Sequence, residues 1–127
     1  MHPFLFRKHA TRTLAGVLAR ENETGALSDT ELQERWSGWS FEIARQRLRL
    51  REILPEALAC VREAAFRASG LKAFPCQMEA VIGLTEPAIT EVATGEGKTL
   101  VTAMAACLFA LPQRGVHVDV HAALRQG

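Results

Sequence analysis

A chain of 127 residues that is 48% apolar has the material for one small domain with a buried core, which excludes wholesale disorder. Its 15 Lys plus Arg stand against 14 Asp plus Glu, and so small an excess gives no global argument for a nucleic-acid or acidic partner. The 3 cysteines show no CxxC spacing and no apolar run approaches the roughly 20 residues of a membrane span, so a soluble, intracellular chain in a reducing setting is expected.

Residues 3–20 predict a basic amphipathic helix, with Leu14, Val17 and Leu18 at helical spacing. Arg7, Lys8, Arg12 and Arg20 lie in this stretch without a single acid, and they interrupt any signal-peptide-like apolar region. Two readings compete. The helix lies in the interface of an anionic membrane, with Phe4, Leu5 and Phe6 adding apolar surface, or its stripe packs on the chain's own helices. Glu21-Asn22-Glu23-Thr24-Gly25 reads as a polar break. Residues 1–26 are therefore expected to form an N-terminal helix and linker, and residues 27–127 the domain proper.

Ser28 and Glu31 have the Ser-x-x-Glu spacing of a capping box, so a helix should run on through Leu32 and Trp36. Ser37-Gly38-Trp39-Ser40 predicts a bend or break. Trp36 and Trp39 are read as packing residues rather than a stacking platform. Helix is expected again over Phe41–Ile53, with Pro55 in the first turn of the next one. Leu58, Val61, Ala65 and Phe66 give that helix an apolar face, and Gly70 is placed to end it as a left-handed cap.

Leu71–Pro75 reads as a loop and Gln77–Leu84 as a short helix. Ala88–Val92 is a strand candidate, and Leu100–Leu111 a helix apolar nearly all round, as for one buried against a sheet. Val116–Val120 alternates valines with polar residues, a second strand candidate. Strand, loop, helix and strand make a βαβ unit. The expected fold class is thus α/β: part of a P-loop, RecA-like and helicase-type nucleotide-binding domain, behind a mostly helical N-terminal region.

Between the first strand candidate and the apolar helix lies Thr94-Gly95-Glu96-Gly97-Lys98-Thr99. Glycines at 95 and 97 permit positive φ and let the backbone approach a ligand. Successive N–H groups can then turn towards phosphate oxygens, helped by the positive end of the following helix. Lys98 offers a mobile ammonium to the β- and γ-phosphates of ATP, and the Thr99 hydroxyl is a ligand for the accompanying Mg²⁺. The first position of the general phosphate-loop pattern is glycine, whereas here it is Val92. A flexible turn capping a helix is the competing reading. His117 and His121 share one face of a strand but have no third ligand, so they do not make a metal site.

The run Glu91-Val92-Ala93-Thr94-Gly95-Glu96-Gly97-Lys98-Thr99-Leu100 resembles the phosphate loop of SecA, the motor ATPase of bacterial preprotein translocation, which also has a non-glycine residue at its first position. Leu54-Pro55-Glu56-Ala57-Leu58-Ala59-Cys60-Val61-Arg62-Glu63-Ala64 resembles a Leu-Pro-Glu-Ala-Phe-Ala-x-Val-Arg-Glu-Ala segment of that family. Leu27-Ser28-Asp29-x-Glu31-Leu32 and Gly115-Val116-His117-Val118 are similar as well, in the family's order. The resemblance implies that Gln77, in Phe74-Pro75-Cys76-Gln77, reads the adenine edge, its amide offering both donor and acceptor. Pro75, Cys76, Glu79 and Ala80 depart from the family pattern around that residue.

The same resemblance implies the SecYEG channel and secretory preproteins as partners. It also implies a cytoplasmic location, peripherally associated with the plasma membrane, and no nucleic acid. Hydrolysis in this class needs an acidic Mg²⁺-and-water motif on a later strand, and neither Glu91 nor Asp119 has that context. No catalytic residue is therefore expected within this chain, which should bind ATP without hydrolysing it. A piece of a superfamily-2 nucleic-acid helicase, or a non-catalytic remnant, is the alternative.

Overall fold

A computed structural model of the chain describes residues 3–85 and 98–111, with side chains from residue 10 onward in the first helix and from residue 99 in the last. Six helices follow in order: α1 (Pro3–Ala19), α2 (Glu21–Ala26), α3 (Asp29–Ala44), α4 (Leu50–Ser69), α5 (Pro75–Leu84) and α6 (Lys98–Ala110). The core lies where α1, α4, α5 and α6 meet. Leu58, Met78, Ile82, Met104 and Leu108 are fully enclosed there.

The α/β class is corrected by this arrangement. Among the described residues there are helices and no strand, so no βαβ unit or P-loop-type sheet is seen. The segments 88–92 and 116–120, expected as strands, lie outside the described residues. The inference leaned on α6 being apolar nearly all round. An all-apolar helix demands burial but does not say what buries it. Here α4 and α5 pack against it, enclosing Leu100, Val101, Met104 and Leu108.

Ser28 caps α3: its Oγ accepts the Glu31 N–H at 3.1 Å, and the Glu31 carboxylate accepts the Ser28 N–H at 3.1 Å. Gly70 ends α4 at φ 76°, a left-handed cap. Residues 21–25 are not a break, however, because Glu21–Ala26 forms α2. Nor does α3 break at Gly38. Trp36 and Trp39 pack on the core, their rings edge to face at 6.2 Å, and the Ser40 hydroxyl donates to the Leu111 carbonyl at 2.6 Å. Tertiary anchors override one glycine's helix cost of about 1 kcal/mol.

Helix was also expected to run over 41–53, but α3 stops at Ala44 and α4 starts at Leu50. Pro55 therefore sits inside α4 rather than in its first turn. On α1, Leu14 and Val17 are 8% and 1% exposed and belong to the core, so this part of the apolar stripe packs on the chain's own helices.

Candidate functional site

Pro75 opens α5, where its missing N–H leaves no intrahelical bond unmade. Two residues on, the Gln77 side chain turns back, and its Oε1 accepts the Phe74 N–H at 2.7 Å. A backbone donor at that point requires the amide oxygen, so the orientation of the amide follows. Among the described residues no hydrogen bond engages its NH₂ group, and the oxygen keeps a second lone pair. Gln77 is half-buried and faces neither full solvent nor the core. Such an amide can accept from an amino group such as adenine N6 and donate to a ring nitrogen.

The loop that leads into α5 is tied down from behind. Arg62 on α4 is 9% exposed, and its Nε and one terminal N–H donate to the Ala73 carbonyl at 3.0 and 2.9 Å. Its other terminal nitrogen stands 3.5 Å from the Glu21 carboxylate, which also pairs with Lys72 at 2.5 Å. The hydrogen bond from Lys72, with the charges of Lys72 and Arg62, holds the Glu21 carboxyl below its usual range. The α1–α2 junction, the middle of α4 and the approach to Gln77 are thereby fastened together. Sequence reading passed over Arg62. The available signal was its register, since Arg62 follows Leu58 and Ala59 by four and three residues on the buried side of α4.

Lys98 and Thr99 are the first two residues of α6, at the end where the helix dipole favours an anion. Thr99 is half-buried, next to Leu100 and Val101, which enter the core at 8% and 3% exposure. The Lys98 side chain and the whole of Thr94, Gly95, Glu96 and Gly97 lie outside the described residues, as do Glu91, Asp119, His117 and His121. What the fold does bring together is the helix bearing Gln77 and the helix begun by Lys98 and Thr99, because α5 packs on α6. Of the residues that depart from the family pattern, Cys76 and Glu79 are exposed, and Ala80 packs against the core. Burial raises the thiols of Cys60 and Cys107, so neither is an activated nucleophile. Among the described residues no group of three His, Cys, Asp or Glu could hold a metal ion.

Comparison with known proteins is consistent across relatives. The family model of the SecA DEAD-like domain matches residues 5–121. The protein translocase subunit SecA of Neorickettsia sennetsu is 45% identical over 105 residues, covering 83% of this chain and 13% of that protein. SecA of Nitrosococcus oceani is 42% identical over 111 residues, covering 87% of this chain and 12% of its own length. The chloroplastic protein translocase subunit SECA1 of Arabidopsis thaliana is 42% identical over 112 residues, or 88% and 11%. The chain thus spans 11% to 13% of the length of these curated relatives.

Proposed function

Because this chain belongs to the SecA family, matching its DEAD-like domain, we propose that it binds ATP as the front part of a protein-translocating motor. The observation that carries the reading is the Gln77 amide, oriented by the Phe74 N–H, on a helix packed against the one that Lys98 and Thr99 begin. Gln77 reads the adenine edge. The backbone amides of Thr94, Gly95, Glu96 and Gly97 surround the phosphates, Lys98 neutralises the β- and γ-oxygens, and the Thr99 hydroxyl holds Mg²⁺. The metal, when bound, draws charge from those same phosphates. In the whole protein the partners are the SecYEG channel and secretory preproteins, and the location is the cytoplasm, with peripheral attachment to the plasma membrane. Among the described residues no helix is long and apolar enough to cross a membrane.

Titration calorimetry with Mg·ATP tests this. The chain binds weakly and Lys98→Ala abolishes the heat; equal binding by both proteins sinks the assignment. Lacking an apolar run that ends in paired acids, the 127 residues release no phosphate above background. Turnover that vanishes in Lys98→Ala contradicts that part alone. No nucleotide heat in either protein returns the chain to the non-catalytic reading.

A further inference from the structure

The approach to Gln77 has little backbone bonding of its own. Between the Gly70 cap and the first turn of α5, Leu71, Lys72 and Ala73 make no backbone–backbone hydrogen bond among the described residues. Side chains set the path of this connection instead. The Ser69 hydroxyl accepts the Leu71 N–H at 3.1 Å, Lys72 pairs with Glu21, and Arg62 donates twice to the Ala73 carbonyl. Leu71 and Phe74 are 65% and 68% exposed, whereas Ala73 is 2% exposed. The arginine therefore holds the one buried residue of the connection.

What it holds is one half of a rigid unit. The Ala73 carbonyl and the Phe74 N–H belong to the same planar peptide group, and no described peptide bond is cis. In a trans peptide these two groups point in opposite directions. Arg62 donates to the oxygen at 3.0 and 2.9 Å, and on the other side the Gln77 Oε1 accepts the N–H at 2.7 Å. Guanidinium, peptide and glutamine amide thus form one continuous hydrogen-bonded chain. Two N–H groups of a planar guanidinium converging on the oxygen resist rotation of the peptide plane. Their charge also polarises the opposite N–H into a better donor. Arg62 itself has little room to move. It is 9% exposed, Glu21 stands 3.5 Å from its remaining terminal nitrogen, and the void of about 10 Å³ beside it holds one water at most.

We propose that Arg62 is a positioning residue for base selection: through the Ala73–Phe74 peptide it pins the Gln77 amide in the orientation that accepts adenine and rejects guanine. The assignment rests on Gln77 reading the adenine edge, and it adds what holds the amide to that task. A half-turn of a glutamine amide exchanges its oxygen for its NH₂ group in one place. With Oε1 committed to the Phe74 N–H, its second lone pair meets the adenine N6 amino group, and the NH₂ group donates to N7. Guanine carries O6 where adenine carries its amino group, so the same oxygen faces another acceptor. A released amide turns over and donates to O6, and the preference is lost. Polar groups reject the wrong ligand in this way only while they are held from rearranging.

Calorimetric titration of the full chain with Mg·ATP and with Mg·GTP tests this in wild type, R62Q and R62K. The wild-type chain prefers ATP, and R62Q reduces that preference about tenfold, the factor set by one hydrogen bond to a charged group. R62K keeps a charged donor and most of the preference, and circular dichroism verifies that both variants stay helical. A preference that Gln77→Ala removes and a folded R62Q retains overturns the proposal alone. A wild-type chain that binds ATP and GTP equally overturns the adenine reading of Gln77, and the proposal with it. Should R62Q fail to fold, the ¹⁵N-labelled wild-type chain decides. Mg·ATP then moves the Gln77 NH₂, Phe74 N–H and Arg62 Nε–H resonances together. An Arg62 resonance that stays put while that of Gln77 shifts overturns the proposal.

Discussion

Arg62 shows what a single residue contributes. Both of its bonds to Ala73 end on one carbonyl oxygen, in a loop that has no helix partner to satisfy it. Truncation strands that carbonyl in a covered place, and a hydrogen bond to a charged group is worth about 1.5–3 kcal/mol. Arg62→Ala is therefore expected to lower unfolding free energy by about 2 kcal/mol in urea titration. Arg49→Ala, on an exposed side chain that makes no ion pair or hydrogen bond among the described residues, should change it by no more than about 0.5 kcal/mol. Equal losses would show that the Ala73 anchor carries no stability of its own. The same anchor positions the chain just ahead of Phe74, whose N–H orients Gln77. Arg67 plays a comparable part at the far end of α4. It donates to Glu63 and Asp29 and, at 2.5 Å, to the Leu27 carbonyl, fastening the α2–α3 connection.

At the scale of the helices, glycines with different surroundings predict opposite outcomes. Gly38 lies within α3, and a Cβ built on it meets nothing within 4 Å. Alanine there gains helix propensity at no steric cost, so Gly38→Ala should stabilise by about 0.5–1 kcal/mol. Gly70 also faces open space, but its φ of 76° is unfavourable to any residue with a Cβ, so Gly70→Ala should destabilise by about 1 kcal/mol. Thermal melts of the two variants moving in the same direction would refute the argument. The constraint at Gly16 is closeness rather than φ, since its neighbour is the ring of Pro55. That contact sets how near α1 approaches α4.

Across the whole molecule, acid should loosen the fold by releasing ties between elements. The Glu21 carboxyl is lowered by Lys72 and Arg62, and the Glu31 carboxyl by the Ser28 N–H and then the Ser28 hydroxyl. A carboxyl whose folded value is depressed contributes stability that is fully present above its unfolded value, about 4.3. That stability is lost as pH falls through the lower folded value. The melting temperature should accordingly hold between pH 7 and about pH 5, then fall below about pH 4.3. Glu21→Gln with Glu31→Gln should flatten this acid limb, and an unchanged limb would mean that other groups dominate it. Removing residues 1–20 is no substitute for charge variants in any membrane assay, because it also takes Leu14 and Val17 out of the core.

Much of the local structure could be read from the sequence because its causes are local. The Ser28–Glu31 box and the Gly70 cap each depend on a few adjacent residues. The glycine loop and the Leu-Pro-Glu-Ala segment likewise identified the family from short runs alone. Glycine at 38 and polarity at 21–25 predicted breaks that do not occur, because packing of Trp36, Trp39 and Thr24 outweighs a propensity of about 1 kcal/mol. Periodicity marked α6 as buried, yet only the tertiary structure supplied α4 and α5 rather than a sheet as its cover. Arg62's hold on the Gln77 loop was likewise invisible, since it joins residues brought together by the α4–α5 connection. The direction in which α1 lies against α4, with Gly16 beside Pro55 and Glu21 beside Arg62, is a property of packing that no local pattern encodes.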